Sequence, residues 1–202
     1  MNNGRIFVVE GVSNTGKTTL CEKLKERDNF KVIPEVADFT LECPKPSKNE
    51  EDELKNQDFF LEIETIRLNE AIKYASKGFN VILDRSIFST LSIAYGLDKF
   101  KKYNVYEKMK EKYQNWLGKN NLNIIEKYII LYTNDFEIDI RNKSRKKSLS
   151  KNWLNSDFIA FQNEYFFSIF FSNKNNIFLN TSNKSTEEVY EFIKDCILPS
   201  KQ

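Results

Sequence analysis

Histidine is absent from the 202 residues. That absence excludes imidazole acid–base chemistry, histidine-containing zinc sites and Ser-His-Asp triads together. Cysteine is scarce. Cys21, Cys43 and Cys196 stand far apart and outside any CxxC, so neither a disulfide framework nor a thiolate zinc site is indicated, and free thiols in a reducing compartment are expected. No apolar run approaches the roughly 18 residues that span a bilayer. The opening Met1-Asn2-Asn3-Gly4-Arg5 runs directly into a strand pattern rather than a signal peptide, so the expected location is cytoplasmic, with no membrane partner. A net charge of only +2 argues against a dedicated nucleic-acid binder. The chain is 40% hydrophobic and 30% charged, an ordinary globular composition, and its length fits one domain over residues 1–202.

Short apolar runs alternate with amphipathic stretches from end to end. Arg5–Glu10 (RIFVVE), Lys31–Ile33, Asn80–Asp84, Tyr128–Tyr132 and Asn176–Leu179 read as buried strands. Helices are expected over Thr18–Arg27, Asp58–Lys77, Ser89–Lys119, Phe136–Arg145, Trp153–Phe171 and Thr186–Ile197. Residues 38–56 are polar, carry two prolines and several acids, and read as a loop or flexible flap. Such alternation implies an α/β fold: a parallel sheet of about five strands with helices on both faces and ligands at the carboxyl ends of the strands. The aromatic run Phe158–Phe171 is apolar nearly all round, which suits a core or a subunit interface, and is compatible with a homodimer.

Gly11-Val12-Ser13-Asn14-Thr15-Gly16-Lys17-Thr18 matches G-x-x-x-x-G-K-[ST] without departure, after a strand and before a helix. This is the phosphate loop of P-loop NTPases. Glycines allow a tight turn whose N–H groups face an anion, and the helix dipole adds to them. Residues Gly11 to Thr19 are therefore expected to bind ATP, with Lys17 on the β- and γ-phosphates and Thr18 on Mg²⁺. Val81-Ile82-Leu83-Asp84 is an apolar strand ending in an acid, a second expected Mg²⁺ ligand. Arg85 follows, where a water-activating ATPase often carries a second acid; a cation there suits an anionic acceptor or a developing phosphoryl charge.

Glu35 ends the second strand on the same sheet edge and can accept a proton from an attacking hydroxyl; the alternative is a solvated turn. Phe60, Ile63 and Arg67 share a helix face, so Arg67 and Phe60 are candidates to bind and stack on an acceptor; alternatively Arg67 pairs with Glu64 or Glu70 on a wet face. Arg141, Lys143, Arg145, Lys146 and Lys147 form a basic stretch suited to a lid over ATP at about 141–151, or to a solvated loop.

In combination, FVVEGVSNTGKTT, IPE, a helical arginine, LDRS and RNKSR resemble the thymidylate kinase and deoxynucleoside kinase group of P-loop kinases. Pro34-Glu35 and Asp84-Arg85-Ser86 look like the catalytic-base and E-R-S segments of deoxynucleoside kinases. Ser89 with Ala94-Tyr95-Gly96 looks more like the segment after the D-R-Y motif of thymidylate kinases. The resemblance implies Glu35 as base, Arg85 as transition-state stabiliser, Arg67 as acceptor ligand, Arg141 and Arg145 as lid arginines, and a small nucleoside or nucleotide as partner. It departs at Ser13, where thymidylate kinases commonly have an aspartate, and at Ile33-Pro34-Glu35-Val36, where they have Arg-Glu-Pro. The leading expectation is an ATP-dependent nucleoside kinase, with a monophosphate kinase as rival. A guanine-reading switch is disfavoured, since Asn183-Lys184-Ser185-Thr186 ends in threonine where N-K-x-D needs aspartate. A non-catalytic nucleotide-binding regulator requires those catalytic residues to be idle.

Overall fold

The computed structural model describes residues 4–144 and 151–198. Five strands form one all-parallel sheet: β1 Ile6–Glu10, β2 Lys31–Ile33, β3 Val81–Asp84, β4 Ile125–Tyr132 and β5 Ile177–Asn180. Their spatial order is β2-β3-β1-β4-β5, so β1 lies at the centre. Every residue of β1 is buried, because its alternate side chains enter different cores. Phe7 and Val9 join Leu20 and Leu24 of α1 (Lys17–Asp28) and Tyr190 and Ile193 of α8 (Thr186–Ile197). Ile6 and Val8 face the other way, onto Leu68 and Ala71 of α3 (Glu50–Ala75). A second cluster on that side packs α4 (Ile87–Lys101), α5 (Val105–Lys119), α6 (Asp135–Lys143) and α7 (Ser156–Phe170) around Ile130, with Phe158, Phe166 and Phe170 of the aromatic run buried. A short helix, α2 (Val36–Phe39), follows β2.

Three boundaries differ from the sequence-based expectation. The loop predicted over 38–56 ends at Asn49, and α3 begins eight residues before Asp58. Asn49 caps it, accepting a hydrogen bond from the Asp52 N–H, and Glu50, Glu51, Asp52 and Glu53 sit on the positive end of its dipole. The helical stretch 89–119 is two helices: Lys102 ends α4 in a left-handed conformation, and the Asp98 carboxylate accepts from the N–H groups of Val105 (2.7 Å) and Tyr106 (2.9 Å). β4 starts three residues before Tyr128.

Register fixes the site. Val9 pairs with Asp84, and Ile33 with Leu83, so the segments beginning at Gly11, Pro34 and Arg85 leave the sheet side by side.

Candidate active site

The loop after β1 turns tightly at glycines. Gly11 has φ 133°, and a Cβ there would lie 2.0 Å from the Leu131 carbonyl oxygen, so no other residue fits. Gly16 (φ 97°) delivers the chain into α1. Inside the loop, the Thr15 hydroxyl donates to the Val12 carbonyl (3.0 Å) and so does Lys17 Nζ (2.6 Å). Burial and the nearby Arg85 charge push the Lys17 ammonium down to about 7. The loop thus holds a cation at a disadvantage until an anion arrives.

Thr18 Oγ1 donates to Asp84 Oδ2 across 3.1 Å. Asp84 Oδ1 is the one buried side-chain oxygen or nitrogen among the described residues with no hydrogen-bond partner. Burial raises the Asp84 carboxyl above its ordinary value. A hydroxyl and an unsatisfied carboxylate oxygen form a hard-oxygen donor set, which suits a small divalent cation.

Arg85 occupies a left-handed conformation (φ 66°) that turns its side chain back across the strand ends. Its Nε donates to Glu35 Oε2 (2.6 Å), and its Nη1 to the Gly11 carbonyl (3.1 Å) and Ser89 Oγ (3.2 Å). Burial works to raise the Glu35 carboxyl, but the charges of Arg85 and Lys17 outweigh it, so the group stays below its ordinary value and is ionised at neutral pH.

These groups open on one cleft of about 1170 Å³. Ser13, Asn14, Thr15, Gly16, Lys17, Thr18 and Thr19 line its phosphate end, and Glu35, Arg85, Phe60 and Glu64 line its acceptor end. Gly11, Val12, Arg67 and Asp84 lie behind the wall: Val12 lends a carbonyl to Lys17, and Gly11 one to Arg85.

The AAA domain family matches over residues 6–160, more than three quarters of the chain. The chain belongs to that family. No curated protein matches the sequence. Among solved structures, this AAA domain is similar to a thymidylate kinase from Candida albicans (15% identity, TM-score 0.74, covering 96% of this chain and 91% of that one). It is likewise similar to a deoxyadenosine kinase from M. mycoides solved with bound dCTP (14% identity, TM-score 0.75, covering 94% and 97%). At these identities the likeness is one of fold, and it bears out the P-loop kinase architecture read from the sequence motifs.

Two expected ligands of the AAA domain sit differently from their predicted roles. Arg67 is fully buried under the site rather than on its wall. Its Nε donates to the Pro34 carbonyl (2.9 Å), its Nη2 to the carbonyls of Asp84 (2.7 Å) and Arg85 (3.1 Å), and its Nη1 to Glu64. The guanidinium therefore ties the ends of β2 and β3 together instead of reaching an acceptor. Arg141, on α6, does line the cleft, but its donors go to the Asn14 carbonyl (3.2 Å), Thr181 Oγ1 (3.0 Å) and the Thr181 carbonyl (2.7 Å), so here it braces the phosphate loop. Arg145, Lys146 and Lys147 lie outside the described residues.

Glu10 was missed by sequence reasoning. It is fully buried and accepts from the Ser86 N–H (2.9 Å), the Ser86 hydroxyl (2.6 Å) and the Ser89 hydroxyl. Ser89 in turn accepts from Arg85, so a second carboxylate holds Arg85 at one remove. Its only sequence signal is an acid closing an otherwise apolar strand, the same signal that marked Asp84.

Proposed function

We propose that this AAA domain transfers the γ-phosphoryl group of ATP to a hydroxyl of a nucleoside-type acceptor. The observation that carries the reading is the ionised Glu35 carboxylate, 2.6 Å from Arg85 Nε, at the junction of the phosphate loop and the acceptor pocket. A hydroxyl acceptor needs a base at that point; an ionised phosphate acceptor does not. The balance of cations favours the hydroxyl as well. Among the described residues, the cleft's cations are Lys17, Arg85, Arg141 and Lys184. Of these, Arg85 is already paired with Glu35, and Lys17, whose charge also acts on Glu35, is held at the phosphate loop. The similar solved structures support a nucleoside-type acceptor: one is a thymidylate kinase, others a deoxyadenosine kinase with bound dATP or dCTP.

In this mechanism the loop N–H groups and Lys17 hold the ATP phosphates, and the anion restores the Lys17 charge that burial disfavours. Thr18 and Asp84 would hold Mg²⁺, which neutralises phosphate charge when bound. Glu35 takes the proton of the acceptor hydroxyl as its oxygen bonds to the γ-phosphorus, and the bond to the bridging oxygen breaks to leave ADP. As Glu35 gains the proton its grip on Arg85 weakens, and the guanidinium charge turns to the transferring phosphoryl oxygens. Positioning and electrostatics supply most of the rate.

The test is product analysis after incubation with Mg-ATP and a panel of nucleosides and their monophosphates. A new monophosphate supports the reading. A new diphosphate moves the chain to monophosphate kinases. ADP without a phosphorylated acceptor removes the nucleoside reading.

A further inference from the structure

α3 turns one face to the acceptor end of the cleft, carrying Gln57, Phe60 and Glu64 at helical spacings of three and four. Gln57 is engaged with its neighbours: its Nε2 donates to Glu53 (2.6 Å), and it accepts the Tyr113 hydroxyl. Phe60 offers a flat apolar surface one turn on. Glu64 is different. It is 4% exposed and lines the cleft, yet only its Oε1 is bonded, to Arg67; its Oε2 has no hydrogen-bond partner among the described residues. An oxygen that reaches the cleft from a nearly buried side chain, while its twin is held by Arg67, is fixed in place to accept from a ligand.

The rest of the Arg67 fork is spent on the carbonyls of Pro34, Asp84 and Arg85. Besides Arg67, the charge that acts on Glu64 is that of the buried Glu10, which is also negative. Burial pushes the Glu64 carboxyl up to about 7 despite Arg67, as expected of an acid short of hydrogen bonds. The Arg67 guanidinium on Oε1 favours the ionised form, in which Oε2 meets an N–H of a ligand in the cleft.

We propose that Glu64 reads the base of the acceptor by accepting a hydrogen bond from an exocyclic amino group, so that adenine and cytosine nucleosides are preferred to their oxo counterparts, hypoxanthine and uracil. The inference rests on the nucleoside-acceptor reading above. The chemistry separates the two sets. An amino group projects from the ring and presents its hydrogen without a carbonyl on the same atom. The ring N–H of uracil is flanked by two carbonyl oxygens and that of hypoxanthine by one, and each such oxygen meets the carboxylate with like partial charge. Phe60, one turn away, gives the ring a face to lie against.

The test compares kcat/KM of the full chain for adenosine against inosine and cytidine against uridine, in ribo and 2′-deoxy forms. A preference of about 10–10²-fold for the amino member is expected, the scale of one hydrogen bond to a charged group. Glu64→Gln, whose amide can also donate, is expected to bring both ratios toward about 1. Equal or better use of the oxo members, or unchanged ratios in an active Glu64→Gln enzyme, overturns the proposal. Should that variant fail to fold, purine riboside, with hydrogen in place of the amino group, decides on the unaltered chain: it should fall with inosine, and parity with adenosine overturns the proposal. If no nucleoside is phosphorylated, the kinase reading fails separately, and the same pairs are compared by thermal stabilisation of the protein. Retained amino preference there supports Glu64 as the reader, and its absence refutes it.

Discussion

Replacing Arg67 by methionine separates a structural arginine from a substrate ligand. The methionine keeps an apolar stem but removes the fork that holds the carbonyls of Pro34, Asp84 and Arg85, and it strips Glu64 of its charged partner. Removing one member of a buried ion pair costs about 3–5 kcal/mol, because the remaining charge stays buried. Against a total stability of about 5–15 kcal/mol, that is a large share. For a chain of this length each kcal/mol moves Tm by about 2–4 °C, so Arg67→Met is expected to melt about 6–20 °C lower. Circular dichroism melts with parallel urea titrations give the number. Turnover below the new Tm should fall too, since the backbone that sets the angle of Arg85 has lost its tie. A Tm within about 2 °C of the parent, with a raised KM for the acceptor, would refute the reasoning and restore Arg67 as a ligand.

Lys17→Ala is expected to abolish turnover in a coupled ADP assay, and retained activity would sink the phosphate-loop assignment. Glu35→Gln should lower kcat by roughly 10²-fold or more if the carboxylate is the base. Glu35 sits below its ordinary value of 4.5, so it is ionised above that pH and protonates only under more acid conditions. The acid limb of kcat/KM should accordingly lie below pH 4.5, and a limb near 6 or higher would contradict the Arg85 pairing. Gly96→Ala places a Cβ 2.7 Å from the Phe158 ring between α4 and α7, and overpacking there is expected to cost about 1–3 kcal/mol in urea unfolding.

The sheet was legible because each strand is a short apolar run beside a helical period, and because a central parallel strand such as Ile6–Glu10 has no wet face to interrupt it. The phosphate loop was legible because its glycines answer to backbone angles that side chains rarely adopt. Asp84 and Glu35 could be placed from their position at strand ends alone. The role of Arg67 could not. Its spacing put it on the same face as Phe60, but whether an arginine looks outward or inward depends on carbonyls from β2 and β3, 17 or more residues away. Glu64 was seen only as one of two acids able to pair with Arg67, and its unused oxygen is a property of the assembled pocket. The start of α3 was hidden for a local reason: the cap at Asn49 is an ordinary polar residue within a polar stretch, and the Pro44–Pro46 segment before it suggested a longer loop.

Arg85 sets a limit on how robust the chain can become. A left-handed backbone costs a residue with a side chain about 1–2 kcal/mol, a penalty that glycine escapes. Arg85→Gly would relieve that angle but strip Glu35, the Gly11 carbonyl and Ser89 of their shared donor, a loss that outweighs the relief. The strained torsion is held by the same bonds that aim the cation, so any effort to harden the protein has to gain its stability from elsewhere in the fold.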